Sequence, residues 1–168
     1  MSLTMYTATV PTCTRALNNL AAILEKAAAH AEARKIAPAV LLNSRLFPDM
    51  FPLATQIHIA NDIAQGGAAR LAGAEVPAFE AKERSIAEWI ATSRATIAYL
   101  EALKPAQFEG AEDRTITWQT RSTTRNMQGT AYLFHHVLPN VFFHVTTAYD
   151  ILRQAGLELG KLDYLGRT

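Results

Sequence analysis

Cysteine is almost missing: Cys13 is the only one in 168 residues, so an intramolecular disulfide is excluded and nothing points to an oxidising compartment. Charge is also scarce. Only 18% of residues are Asp, Glu, Lys or Arg, below the usual quarter, which implies that much of the surface is covered by the chain itself or by a subunit partner. Sixteen basic residues against fifteen acidic ones leave a formal charge of +1. With no Lys/Arg run to form a stripe, nucleic acid is excluded as a partner. No uninterrupted apolar stretch is long enough to cross a bilayer, so no membrane association is expected. The N-terminus has no charged region followed by an apolar block, and the expectation is a cytoplasmic protein. A phosphate-binding glycine loop and a nucleophile-elbow serine are both missing. Repeats and low-complexity segments are absent too. The apolar fraction of 49% suits one globular domain over residues 1–168.

What is present is helical spacing. Val10, Cys13, Leu17, Leu20, Leu24, Ala27 and Ala31 recur in alternating steps of three and four, one face of a first helix. Pro11 falls near its start, as a kink or an irregular first turn, and Cys13 on the stripe reads as a buried, inert thiol. A connection punctuated by Pro38, Pro48 and Pro52 follows. Pro52 suits the first turn of a second helix, whose inner face is Leu53, Ile57, Ala60, Ala64, Gly67 and Leu71 and which Gly73 ends. Gly66 and Gly67 inside it cost roughly 1 kcal/mol each relative to alanine. Close approach of another helix, a dimer contact among the options, would offset that. A third helix is expected over Phe79–Leu103, with Glu80 and Glu83 favouring its N-terminal dipole and Ile86, Ile90, Ser93, Ile97 and Leu100 as its seam. Thr115–Gln119 alternates and is rich in β-branched residues, so it predicts a short hairpin with Thr123–Gln128, or an irregular loop. A helical turn over Thr130–Val137 leads to Pro139. A last helix then carries Val141, Val145, Ala148, Leu152 and Ala155, with Gly156 as its cap. The tail keeps Leu159, Leu162, Tyr164 and Leu165 and is expected to pack back. The fold class is all-α, a four-helix bundle with a hairpin or irregular loop before the last helix.

The histidines are the main functional signal. His144 lies in the apolar stripe of the last helix, with Asn140 one turn before it and His136 one turn before that. His58 adjoins Ile57 on the second helix, with Asp62 four residues on and on the same side. Imidazole and carboxylate groups at i and i+4 on facing helices are how bundles build metal sites. Zinc needs three such ligands and an open position for water. His58 and His144 supply two, and the third lies among Asn140, Asp62 and His136. Nickel and iron also accept imidazole. His30 and His135 read as surface residues, Arg70 as a solvated or interface side chain, and Trp118 and Tyr132 as walls of a pocket mouth or core cover.

The segments His58-Ile59-Ala60-Asn61-Asp62 and Gly66-Gly67-Ala68-Ala69-Arg70-Leu71-Ala72-Gly73 resemble a branch of the DinB/YfiT-like metalloenzyme superfamily classed as a domain of unknown function. So do Tyr132–Asn140, running into Phe143-His144-Val145-Thr146-Thr147-Ala148-Tyr149, and the closing Gly160–Gly166. The resemblance implies an up-down-down-up four-helix bundle, usually dimeric. It also implies thiol-dependent transferase or isomerase chemistry on a divalent metal, zinc or nickel, and the expectation for this chain is a metal-dependent thiol transferase or hydrolase-like activity. It carries the metal ligands onto His58, Asn140 and His144, with Asp62 and His136 as further pocket residues. Asn140 stands where the family's pattern has histidine. The competing expectation is a metal-free bundle that binds a small molecule or dimerises without catalysis.

Overall fold

The computed structural model describes residues 3–78, 84–120 and 122–166. The first helix, α1, spans Met5–Arg34. Thr4 caps it, its hydroxyl accepting from the Thr7 amide at 3.1 Å while Thr7 Oγ1 accepts from the Thr4 amide at 2.8 Å. Pro11 therefore lies inside the helix, not at its first turn. Its ring sits on the exposed side, and the helix continues past it without the bond that residue 11 would donate to the Thr7 carbonyl. The stripe of three and four is buried throughout, Cys13 included, and burial pushes the Cys13 thiol up to about 12.

A short helix, α2 (Pro38–Asn43), precedes α3 (Leu53–Leu71), for which Pro52 is the cap residue just outside the helix. Gly73, at φ +65°, turns the chain away from its end. The next helix, α4, runs over Ile86–Ala102 and not from Phe79. Ser85 is extended and closes a capping box with Glu88, its hydroxyl accepting from the Glu88 amide at 3.2 Å. Phe79, Glu80 and Glu83 lie outside the described residues.

After a single turn at Pro105–Phe108, strands β1 (Thr115–Gln119) and β2 (Thr124–Gln128) pair antiparallel, Trp118 opposite Arg125 and Ile116 opposite Met127. Ile116 and Trp118 turn inward while Thr115, Thr117 and Gln119 face water, the period-two alternation of a half-covered hairpin. Gly129 closes its base, where a Cβ would lie 1.7 Å from the Ala111 carbonyl oxygen.

Helix α5 (Gly129–Tyr132), a π turn over Leu133–Val137 and helix α6 (Leu138–Gln154) then follow one another without a break. The Leu138 amide reaches back five residues to the Leu133 carbonyl. That wider turn carries the rod through Pro139, which sits in the first turn of α6. Gly156, at φ +93°, follows the end of α6, and α7 spans Lys161–Leu165. Leu157 and Leu159 pack inward, whereas Leu162 and Leu165 remain exposed. Polar clamps hold this tail: Arg15 donates to the Leu165 carbonyl at 2.8 Å and Asn19 to that of Tyr164 at 2.8 Å, and Lys26 pairs with Asp163 at 2.6 Å.

The chain is thus mostly helical with a small two-stranded antiparallel sheet. Its core joins Leu17, Leu20 and Leu24 of α1 to Ile57 and Leu71 of α3, Leu100 of α4 and Leu152 of α6, all fully buried. Among the described residues no helix is long and apolar enough to cross a membrane.

Gly66 and Gly67 are buried within the chain itself. A Cβ on Gly67 would meet the Val137 methyls at 2.7 and 2.8 Å, so the close approach that offsets this glycine is α3 against the π turn, not a second subunit. Two substitutions separate the kinds of tightness. Gly129→Ala collides with backbone and should lower the unfolding free energy by about 3 kcal/mol or more. Gly67→Ala collides with a side chain, and its cost of about 1–3 kcal/mol should be partly recovered when Val137→Ala is added. Denaturant unfolding of the single and double variants checks both, and strict additivity at 67 and 137 would refute the assignment.

Candidate functional site

The seam between α3 and α6 is built from small and branched residues, and one polar pair crosses it. Gln56, near the start of α3, is 1% exposed and His144 is 8% exposed. His144 Nδ1 lies 2.6 Å from Gln56 Oε1. The orientation of the amide is set by its other end, because Gln56 Nε2 donates to the Phe51 carbonyl at 3.0 Å. Oε1 must therefore accept, Nδ1 carries the ring proton, and the lone pair falls on Nε2. Nε2 has no hydrogen-bond partner among the described residues. Burial holds the imidazole below its ordinary value, which favours the neutral ring. Phe143 meets that ring edge-on at 5.2 Å and is itself 56% exposed, so the seam opens toward solvent beside an aromatic side chain.

Asn140, one turn before His144, directs its amide nitrogen to the His136 carbonyl at 2.6 Å. It thereby satisfies a carbonyl of the π turn, and Oδ1 and the second amide N–H are left to face other groups.

His58 is placed differently. It lies two residues after Gln56, about 200° around an α-helix. Gln56 faces α6, so His58 leaves α3 on the side turned to α4. Its ring meets Trp89 of α4 at 6.2 Å, and the Arg84 guanidinium sits 4.8 Å from the centre of the Trp89 ring. Next to it, Asn61 bonds to Ser93 at 3.1 Å and ties α3 to α4. Burial pushes the His58 imidazole down, Asp62 opposes that shift and Arg84 adds to it.

His136 occupies a third place. Its ring lies 4.7 Å from that of Trp118 and 5.3 Å from that of Tyr132. Arg70, half-buried, reaches the Tyr132 hydroxyl from α3 at 3.4 Å, so it is not a free solvated side chain. Burial, then Arg70 and Arg125, hold His136 below the ordinary imidazole value. Burial raises the Tyr132 phenol, while Arg70 works the other way. His135 points to solvent, as expected, and His30 is half-buried.

The expected pocket residues are therefore distributed. His144 and Asn140 share one side of α6, His58 meets Trp89 of α4, Asp62 acts on both His58 and Tyr132, and His136 stands with the hairpin. Among the described residues no group of three His, Cys, Asp or Glu side chains is placed to hold a metal ion. His144 has the form of a ligand, one nitrogen tied and the other open. Of the expected donors His58, Asn140 and His144, His58 meets Trp89 of α4 while Asn140 and His144 lie one turn apart on α6. Gln56 was missed in the sequence. Its signal was there: it falls with Ala60, Ala64 and Gly67 in the apolar stripe of α3, where a polar side chain needs a partner across the seam.

The comparisons agree with this architecture. A family model described as a domain of unknown function, DUF1993, matches residues 5–165. A crystal structure of a DinB family member protein from Shewanella denitrificans is similar at 41% identity and a TM-score of 0.90, covering 97% of this chain and 92% of that one. No curated protein matches. Because the family model spans nearly the whole chain, the protein belongs to DUF1993, a domain family without an assigned function.

Proposed function

We propose that this DinB-like chain is a single cytoplasmic domain that binds a small molecule at the α3–α6 seam, with His144 Nε2 as the working atom. The observation that carries this reading is the Gln56–His144 bond at 2.6 Å. A buried amide, itself fixed by the Phe51 carbonyl, presents a neutral imidazole lone pair beside the exposed Phe143 ring. Such an atom accepts a hydrogen bond from a hydroxyl, thiol or amide on the ligand, and it can take a proton from one.

The bundle on which it rests is the up-down-down-up arrangement of α1, α3, α4 and α6. Pairings support that order: Glu25 with Arg94, His58 with Trp89 and Asn61 with Ser93, then Gln56 with His144 and Gly67 with Val137. A homodimer is proposed as well, supported by the exposed Phe142, Phe143 and Leu162 and by the low charge content. Light scattering of the purified chain checks it, and a monomer at all concentrations would remove it.

The competing reading is a divalent metal, zinc or nickel, on His58, Asn140 and His144, serving transferase or hydrolase-like chemistry. It is favoured by the tied-and-open form of His144, and the opposite facing of His58 speaks against it. Elemental analysis and zinc or nickel titration of tag-free protein decide between the two. Binding of less than a tenth of an equivalent is expected. Stoichiometric uptake that is lost in both His58→Ala and His144→Ala would overturn the metal-free reading.

The tautomer is directly observable. Nitrogen-resolved NMR of His144 should show Nδ1 protonated and Nε2 bare. Gln56→Leu should abolish that preference and, by orphaning a buried N–H, cost about 1–3 kcal/mol of stability. An Nε2–H tautomer in the parent protein would sink the assignment.

A pH dependence follows. His58, His136 and His144 are all held below the ordinary value of 6.5. As pH falls through 6.5 the unfolded chain takes up protons that the native state refuses, so stability is present above that pH and is lost below it until the native rings titrate. Denaturant midpoints should therefore decline between about pH 7 and pH 5, and His144→Gln should shrink the decline. A flat profile would contradict the burial of these rings.

A further inference from the structure

The seam at His144 makes no use of the third histidine or of the charges around it. Helix α3 ends beside the π turn, where Arg70 lies back along its own helix to reach the Tyr132 hydroxyl at 3.4 Å. It lies over residue 66, where a Cβ would come within 2.7 Å of Arg70 Nη1 and would require the guanidinium to shift. A helix-weakening residue is thus matched to the position of one guanidinium.

A second guanidinium approaches from the hairpin. Arg125 is the cross-strand partner of Trp118, and residues directly opposite in an antiparallel pair project from the same side. That side presses Trp118 against His136 at 4.7 Å, so Arg125 leaves the hairpin toward the same ring. Both guanidiniums lie close enough to His136 to disfavour its protonation.

Neither Arg70 nor Arg125 forms an ion pair with a carboxylate among the described residues. Asp62 acts on Tyr132 and His58 and is not among the charges acting on His136. Arg70 is half-buried and Arg125 exposed, so the cluster is open on one side. A role confined to packing would account for Tyr132 and Trp118. It does not account for two guanidiniums, neither in an ion pair among the described residues, brought to one half-buried ring, at a π turn of the kind often found at functional sites.

We propose that Arg70 and Arg125 form an oxyanion-binding site that takes the carboxylate or phosphate of a small-molecule ligand against the Trp118–His136 wall. Two planar guanidiniums present paired donors that match either oxyanion. His136 lies eight residues before His144 along the continuous rod of the π turn and α6, about 12 Å, and the site stands or falls separately from the reading of that residue.

Calorimetric titration with inorganic phosphate and, in parallel, with succinate, at constant ionic strength set by chloride, tests it. Tryptophan fluorescence provides a second readout through Trp118. Saturable binding of at least one anion is expected, and the preferred one identifies the headgroup. Arg125→Gln should weaken it about tenfold or more, equivalent to the loss of one charge-assisted contact. Gly66→Ala keeps both charges but displaces Arg70, and it should weaken binding as well. His144→Gln should leave the affinity unchanged, which separates this site from the seam. The proposal is overturned if neither anion binds beyond the chloride control, or if Arg125→Gln and folded Gly66→Ala bind like the parent.

Discussion

The approach of α3 to the π turn at Gly67 and Val137 is the constraint on which the rest of this structure depends. With no Cβ on residue 67, the Val137 methyls enter the space that a side chain would fill. That contact sets both the spacing and the rotation of α3 against α6. One rotation brings Gln56 to His144 at one end of the seam and Arg70 to Tyr132 at the other. The same rotation turns His58 away from α6 and toward Trp89. A glycine pair that weakens an isolated helix thus decides which polar groups meet.

Burial shapes the chemistry more than ion pairing does. The ion pairs Lys26–Asp163 and Arg94–Glu25 lie at the surface, where they contribute little. His58, His136 and His144 are held below the ordinary imidazole value chiefly by desolvation. A neutral imidazole with one nitrogen committed is a directional acceptor, and at His144 the direction comes from an uncharged amide. The pair needs no ionised group in the seam, so it avoids the cost of burying a charge.

The helices were largely legible in the sequence because a stripe of three and four reports which side of a helix is covered. The inner face Leu53, Ile57, Ala60, Ala64, Gly67 and Leu71 is buried as read, and so are Cys13 and its neighbours. The hairpin came from its alternation, and Gly73 and Gly156 marked helix ends. Boundaries were weaker where a local hydrogen bond competed with periodicity. Ser85 and Glu88 start α4 by a reciprocal cap, a signal present in the sequence but outweighed by the acidic residues before it. Pro11 and Pro139 suggested breaks, yet α1 passes the first with its ring in solvent, and the π register absorbs the second.

The sequence by itself determined that the chain is mainly helical, that its thiol is buried, and that His144 with Asn140 lies along one side of the last helix. Each of these follows from spacing within a single element. Only the tertiary structure decided that His144 meets Gln56, that His58 belongs with Trp89, and that His136 stands against Trp118 and Tyr132. Periodicity states which face of a helix is covered but carries no record of which neighbour covers it. That choice was made by the rotation of α3 against the π turn, a contact between residues seventy positions apart.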